Sequence, residues 1–323
     1  MGSRLPVTLQ INVQPLDFPC VRHTLPHQLR QLAELVDEVI LTFDLRRSSV
    51  GYSQTWEDRR PLLRDLLHDC RARYSNVRIL EVDYSPHVEE ALSVQFLGRH
   101  PVPHADARGG PFYAYLYGLH SARNEDILHL DGTIITGGSG AEGWLKQARE
   151  LFESRRDVVG CSPLPGPPAA DGGLREPAEW WKPDNTLPGG YRFTRYTLRA
   201  VFIQRARLMT RTGALRLRLA APLHALRGWT AGHPPYRELD VTLTHAMTSK
   251  GLVRLAFPGP SGGFWTLHPR LQMPTVIGRL PEIVRDIEMD RIPEAQRGNG
   301  ELDEALEEWG AGHSASHAVL AHA

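Results

Sequence analysis

Three aspartates stand where apolar, strand-like runs end. Asp44 follows residues 38–43 (EVILTF), Asp83 follows 77–82 (VRILEV), and Asp131 follows 126–130 (DILHL). In sheets built of parallel strands, ligands bind in the crevice beyond the carboxyl ends, so carboxylates at that edge are candidate ligand contacts. Each could equally be a turn former, and Asp131-Gly132-Thr133 reads as a turn with glycine at the unusual backbone angle. Asp240 opens the helical segment 239–249. There it is well placed to cap the helix, a role worth about 1 kcal/mol. The adjacent Trp180 and Trp181 could stack on a sugar or another ring, or anchor their loop to the core.

The elements that must position these residues follow from periodicity. Residues 7–13 (VTLQINV) alternate apolar and polar, as a strand does. Helical spacing appears over 27–36 (Leu29, Leu32, Leu35, Val36), over 59–74, over 110–123 and over 141–154. Strands are expected at 38–43, 77–82, 126–130, 157–161, 197–203 and 264–267. This alternation predicts an α/β domain with a mostly parallel central sheet flanked by helices. Residues 163–190 hold seven prolines and five glycines in 28 positions, which predicts a long loop. Residues 280–309 read as charged and helical, interrupted near 297–300, and 310–323 as a frayed tail whose three histidines (His313, His317, His322) have nothing apolar to hold them.

The segment 109–138 (GGPFYAYLYGLHSARNEDILHLDGTIITGG) resembles the inverting glycosyltransferases of family 2, of GT-A type. In that family a helix with small residues, here Gly118 and Ala122, precedes a strand that ends in Asp-x-Asp. The first Asp falls on Asp131 and the second on Thr133, and Tyr115 and Leu116 stand where the family has an Arg-Asn pair. Residues 236–252 (YRELDVTLTHAMTSKGL) resemble the family segment whose acidic residue is the catalytic base, here Asp240. Residues 262–269 (GGFWTLHP) match a region in which a His, here His268, completes a metal shell or touches the diphosphate.

The resemblance implies a Rossmann-like GT-A fold over 1–270, with a nucleotide-sugar-binding half at 1–135 and an acceptor half at 136–270, then a helical extension at 271–309. It implies transfer of a sugar from a UDP-, GDP- or dTDP-sugar to an acceptor hydroxyl with inversion. Asp44, Asp83, Arg108, Asp131 and Thr133 would bind the donor, and Trp180 and Trp181 the acceptor. Mn²⁺ or Mg²⁺ would sit at Asp131 and His268 and neutralise the leaving diphosphate. With Thr133 in the motif, a metal-independent enzyme or a non-catalytic nucleotide-sugar-binding relative is also open. A nucleotidyltransferase would want a Gly-rich loop after the first strand, where QPLDFPCVRHTLP stands.

Composition narrows the partners. Of the 323 residues, 37 are Lys or Arg and 37 Asp or Glu, so there is no basic excess to neutralise a nucleic acid. Mean hydropathy is −0.33, and no apolar run approaches the roughly 20 residues of a membrane span. Three widely spaced cysteines (Cys20, Cys70, Cys161) argue against a disulfide framework and for a reducing, cytoplasmic setting. The charged segment 280–309 could pack on the domain or on a second copy, making a homodimer.

Overall fold

The computed structural model describes residues 4–46, 54–260, 262–269, 274–302 and 305–309. Among them the strands are β1 (Leu5–Val13), β2 (Val36–Phe43), β3 (Val77–Glu81), β4 (Asp126–Asp131), β5 (Ile135–Gly137), β6 (Val158–Ser162), β7 (Leu164–Pro165), β8 (Trp181–Pro183), β9 (Tyr191–Phe193), β10 (Ala200–Gln204), β11 (Val253–Ala256) and β12 (Trp265–Leu267). The α-helices are α1 (Phe18–Leu32), α2 (Gln54–Arg73), α3 (Pro86–Leu97), α4 (Tyr113–Ser121), α5 (Ala141–Ser154), α6 (Arg205–Thr212), α7 (Pro222–Thr230), α8 (Leu239–Thr248) and α9 (Pro274–Glu288).

The main sheet has nine strands in the order β3-β2-β1-β4-β10-β6-β11-β9-β8. β3, β2, β1 and β4 are parallel, β10 runs antiparallel to both β4 and β6, and β11 is parallel to β6. Most strands therefore share one direction, with β10 and β9 reversed. This is the expected α/β class. The reversal of β10 matters for function, because its leading end, rather than its trailing end, reaches the crevice beside Asp131.

Helices cover both faces. Val21, Leu25 and Leu29 of α1, Leu63 and Leu67 of α2, and Trp144 of α5 bury against Leu9, Ile11 and Leu41. On the other face Leu92 and Phe96 of α3, Leu116 and Leu119 of α4, and Leu239 and Leu243 of α8 bury against Ile40, Ile127 and Val201. A small sheet, β5-β12-β7, packs with α9 and Trp309 into a separate apolar cluster.

The alternation in β1 is real, but its polar side is not solvated. Thr8 and Gln10 are fully buried and hydrogen-bonded: Thr8 Oγ1 donates to Glu38 of β2 at 2.8 Å, Gln10 Nε2 donates to Asn12 along the same strand at 2.7 Å, and Gln10 Oε1 pairs with His129 Nδ1 of β4 at 2.6 Å. Helix α4 closes over this polar row at Gly118, where a Cβ would overlap the Gln10 amide and crowd Thr42 Oγ1.

Several boundaries differ from the sequence reading. The helix expected at 27–36 is α1, which starts at Phe18, carries Pro26 inside it and ends before Val36 joins β2. Helix α3 was not expected; Pro86 opens it and Gly98, at φ 59°, closes it in the left-handed conformation. The loop at 163–190 contains β7, a 3-10 turn and β8. The C-terminal extension is one helix, α9, followed by turns rather than a helix over 280–309. The tail 310–323 lies outside the described residues. All three cysteines are free and buried. Among the described residues no helix is long and apolar enough to cross a membrane.

Overpacking a core of this kind costs about 1–3 kcal/mol. Gly118→Ala should therefore lower the melting temperature by several degrees, measured by thermal denaturation; an unchanged midpoint would show that the Gln10 row yields without cost.

Candidate active site

Two cavities open at the carboxyl edge of the sheet, and they adjoin at His268, which lines both. The smaller, about 160 Å³, lies beyond β1, β2 and β4 and is walled by Asn12, Asp17, Asp44, Tyr115, Asp131 and Thr133. The larger, about 300 Å³, is walled by Trp180, Arg195, Arg199, Asp240, Arg254 and Glu301, among others.

A short stretch before β10 ties the two together. The N–H of Asp131 donates to the carbonyl of Arg199 at 2.8 Å, and the N–H of the preceding residue, Leu198, donates to Asp240 Oδ1 at 3.1 Å. The sequence spaces these aspartates more than a hundred residues apart, yet two successive residues of the chain hydrogen-bond both. Asp240 sits in the first turn of α8, but the N-cap position is Glu238, so Asp240 is not the cap the sequence suggests. Its carboxylate reaches across to Leu198, and among the described residues Oδ2 has no protein partner. Burial raises its pKa to about 6, against the pull of Arg199, the Leu198 N–H, Arg254 and Arg195.

Asp131 is held differently. Its Oδ1 accepts from the backbone N–H of Thr133 at 3.0 Å and from the Thr133 hydroxyl at 2.9 Å, and Oδ2 accepts from the Tyr115 hydroxyl at 3.3 Å. Thr133 thus does not replace a second carboxylate; it ties up one oxygen of the first. Tyr115 lies within electrostatic reach of Asp131, Asp240 and Asp17, and burial together with these charges keeps its hydroxyl protonated.

Asp17, in the 3-10 turn after β1, was not singled out from sequence. Burial, and then the charge of Asp131, push its pKa up to about 7. His268 follows β12, and its Nδ1 pairs with Glu301 Oε2 at 3.1 Å, while Arg199 holds Glu301 Oε1 at 2.7 Å. Although burial opposes it, these two partners hold Glu301 down at about 2.

The remaining expected residues divide. Asp44 lines the smaller cavity, accepting from the Arg46 N–H at 2.8 Å and the Tyr84 hydroxyl at 2.9 Å. Asp83 is exposed, lines neither cavity and accepts from the Ser85 N–H at 2.8 Å before α3. Arg108 lines a third cavity and pairs with Glu238 at 3.3 Å, so it is not beside Asp131. Trp180 walls the larger cavity with the Arg195 guanidinium 4.0 Å over its ring. Trp181 turns away, donating to the Glu176 carbonyl at 3.0 Å and packing edge-on against Tyr191, so it anchors the loop. Arg199, Arg254 and Glu301 carried no motif; tertiary folding alone gathers them.

Asp131 and His268 share one cavity, as a metal pair would require. Among the described residues, however, no three His, Cys, Asp or Glu side chains converge as a metal centre. With Asp131 Oδ1 already accepting two hydrogen bonds and His268 Nδ1 engaged, the donor set does not form a protein-built cage.

No protein-family model matches the chain, and no curated protein matches its sequence. Solved structures similar to it include glycosyltransferases. S. aureus TarS (residues 1–349) has a TM-score of 0.39 at 11% identity, over 90% of this chain and 68% of that one. Glucosyl-3-phosphoglycerate synthase from Mycobacterium tuberculosis, in complex with Mn²⁺, UDP-glucose and phosphoglyceric acid, has 0.38 at 11% identity, over 89% and 80%. The mannosyltransferase PcManGT from Pyrobaculum calidifontis, in complex with GDP-Man and Mn²⁺, has 0.35 at 13%, over 66% of this chain and only 48% of its own length. These likenesses are loose, and the geometry above stands without them.

The Asp17 carboxyl makes a stability prediction. Its folded pKa, about 7, lies above the ordinary 3.8, so the folded state loses stability as pH rises from about 3.8 to about 7, and the penalty is constant above that. Asp17→Asn should raise the melting temperature at pH 8 and change it little at pH 4; an equal effect at both would contradict the buried carboxylate pair.

Proposed function

We propose that the chain is a nucleotide-sugar-dependent glycosyltransferase of GT-A type. The smaller cavity takes the nucleoside diphosphate, the larger takes the acceptor, and the sugar lies at the junction near His268. The observation that carries this reading is the pair of successive residues, Leu198 and Arg199, whose backbone hydrogen-bonds the Asp240 carboxylate and the Asp131 N–H. An acidic residue whose free oxygen faces an acceptor-sized space, beside a second cavity at the sheet edge, is the arrangement a single displacement needs.

In that displacement Asp240 Oδ2 removes the proton of an acceptor hydroxyl. The oxygen attacks the anomeric carbon from the side opposite the leaving group, and the bonding pair departs with the diphosphate, inverting the centre. A pKa of about 6 leaves the base ionised at neutral pH, yet more basic than a solvated carboxylate. Arg199, fixed by Glu301, brings positive charge to the junction where the diphosphate leaves. Arg254 is buried, stacks 4.2 Å from Phe193 and has no carboxylate within ion-pair distance among the described residues. With Arg195 it makes a wall suited to an acceptor that carries negative charge.

A nucleotidyltransferase fits less well. The turn after β1 carries Asp17 rather than the glycine-rich anion cradle that a triphosphate would need.

The reading is tested with Asp240→Asn. Turnover or slow hydrolysis of the donor should fall roughly a hundred- to ten-thousand-fold. Stabilisation by a nucleoside diphosphate (UDP, GDP or dTDP), read by thermal shift in EDTA, should persist. In the parent protein, kcat/KM should fall tenfold per pH unit below about 6. Donor binding without any transfer would instead identify a non-catalytic binding protein, and stabilisation only with Mn²⁺ would show that ligands gather at Asp131 on binding.

A further inference from the structure

A surface away from both cavities has the composition of a lipid-facing element. From 206 to 237 the sequence has no acidic residue and six arginines (Arg207, Arg211, Arg216, Arg218, Arg227, Arg237), in a chain whose formal charge is zero. Arg207 is engaged with the carbonyls of Val158 and Arg155. Arg216, Arg218, Arg227 and Arg237 are exposed and have no carboxylate within ion-pair distance among the described residues. The acids at the edge of this region are taken: Glu238 pairs with Arg108, and Asp106 is buried and accepts from the Arg108 and Gly110 N–H groups.

The same segment holds four of the seven large hydrophobic side chains that are exposed among the described residues: Leu219 at 69%, Leu223 and Leu226 at 57%, and Trp229 at 73%. Three of them form a stripe on α7. At 100° per residue, Leu223, Leu226 and Trp229 span an arc of about 120°. Gly228, the buried residue of that helix, lies on the opposite side, where a Cβ would meet the Ala107 carbonyl. The helix therefore turns its glycine to the protein and its Leu-Leu-Trp stripe to the outside, the reverse of an ordinary amphipathic helix on a globular domain.

We propose that α7 and its arginine flanks dock on an anionic lipid bilayer. The stripe would enter the headgroup boundary, with Trp229 at the interface and Arg218 and Arg227 against lipid phosphates. The charge chooses between occupants. A second copy would bring the same unpaired arginines against themselves, and like charges across an apolar contact oppose association. A negatively charged surface satisfies both the stripe and the arginines. The contact lies on the surface, and it is independent of the sugar-transfer reading.

The test uses the full chain and sedimentation with vesicles of phosphatidylglycerol and phosphatidylcholine, against vesicles of phosphatidylcholine alone. The protein should partition onto the anionic vesicles and be released by salt. The double substitution Leu223→Ser and Leu226→Ser removes exposed side chains, so it should leave the melting temperature unchanged while weakening partition by roughly tenfold or more. Arg218→Gln with Arg227→Gln should weaken it by roughly tenfold and flatten the salt dependence. The proposal is overturned if the parent protein does not prefer anionic vesicles, if the serine variant binds them equally, or if sedimentation equilibrium shows a dimer that the serine substitutions dissociate.

Discussion

The site depends on one backbone constraint. Strand β10 enters the sheet against the direction of its neighbours, so its approach, at Leu198 and Arg199, crosses the edge where β4 ends. There the Arg199 carbonyl receives the N–H of Asp131, and the Leu198 N–H reaches the Asp240 carboxylate. Were β10 parallel, that edge would carry its trailing end, and α8 would have no such partner for Asp240. Through these two hydrogen bonds the topology of the sheet becomes the geometry of the site.

Around that anchor the charges are sorted. Asp17, Asp44 and Asp131 line the smaller cavity, while Arg195, Arg199 and Arg254 line the larger, with Asp240 among them. The first side holds carboxylates at a cost, visible in the raised pKa of Asp17. The second surrounds a buried carboxylate with cations that only partly offset its burial, leaving Asp240 near 6. Such opposed environments for neighbouring acids are common where proton transfer is the task. Beneath them the buried polar row ties β1 to β2 through Thr8 and Glu38, and to β4, whose end carries Asp131, through Gln10 and His129.

Much of this was legible in the chain. Strand-end aspartates and the helix opened by Asp240 follow from local patterns, and the His268 region from the family resemblance; the structure brings Asp44, Asp131, Asp240, His268 and Trp180 to the two adjoining cavities. What was not legible has physical causes. Pro26 inside α1 concealed the helix start at Phe18, because proline usually ends a helix. Helix α3 is marked only at its ends, by Ser85-Pro86 and by Gly98. Asp83 and Arg108 satisfied the spacing, but Asp83 serves a turn and Arg108 a neighbouring glutamate. Arg199, Arg254 and Glu301 come from separate parts of the chain, and only long-range packing makes them neighbours.

The central claim is that Asp131 and Asp240 face one continuous space that holds an activated sugar. A crystal structure of the protein with a bound nucleotide-sugar tests it most directly. The diphosphate should lie in the cavity of Asp131 and Tyr115, with the anomeric carbon turned toward Asp240 Oδ2. A nucleotide bound elsewhere, or a sugar pointing away from Asp240, would contradict the account.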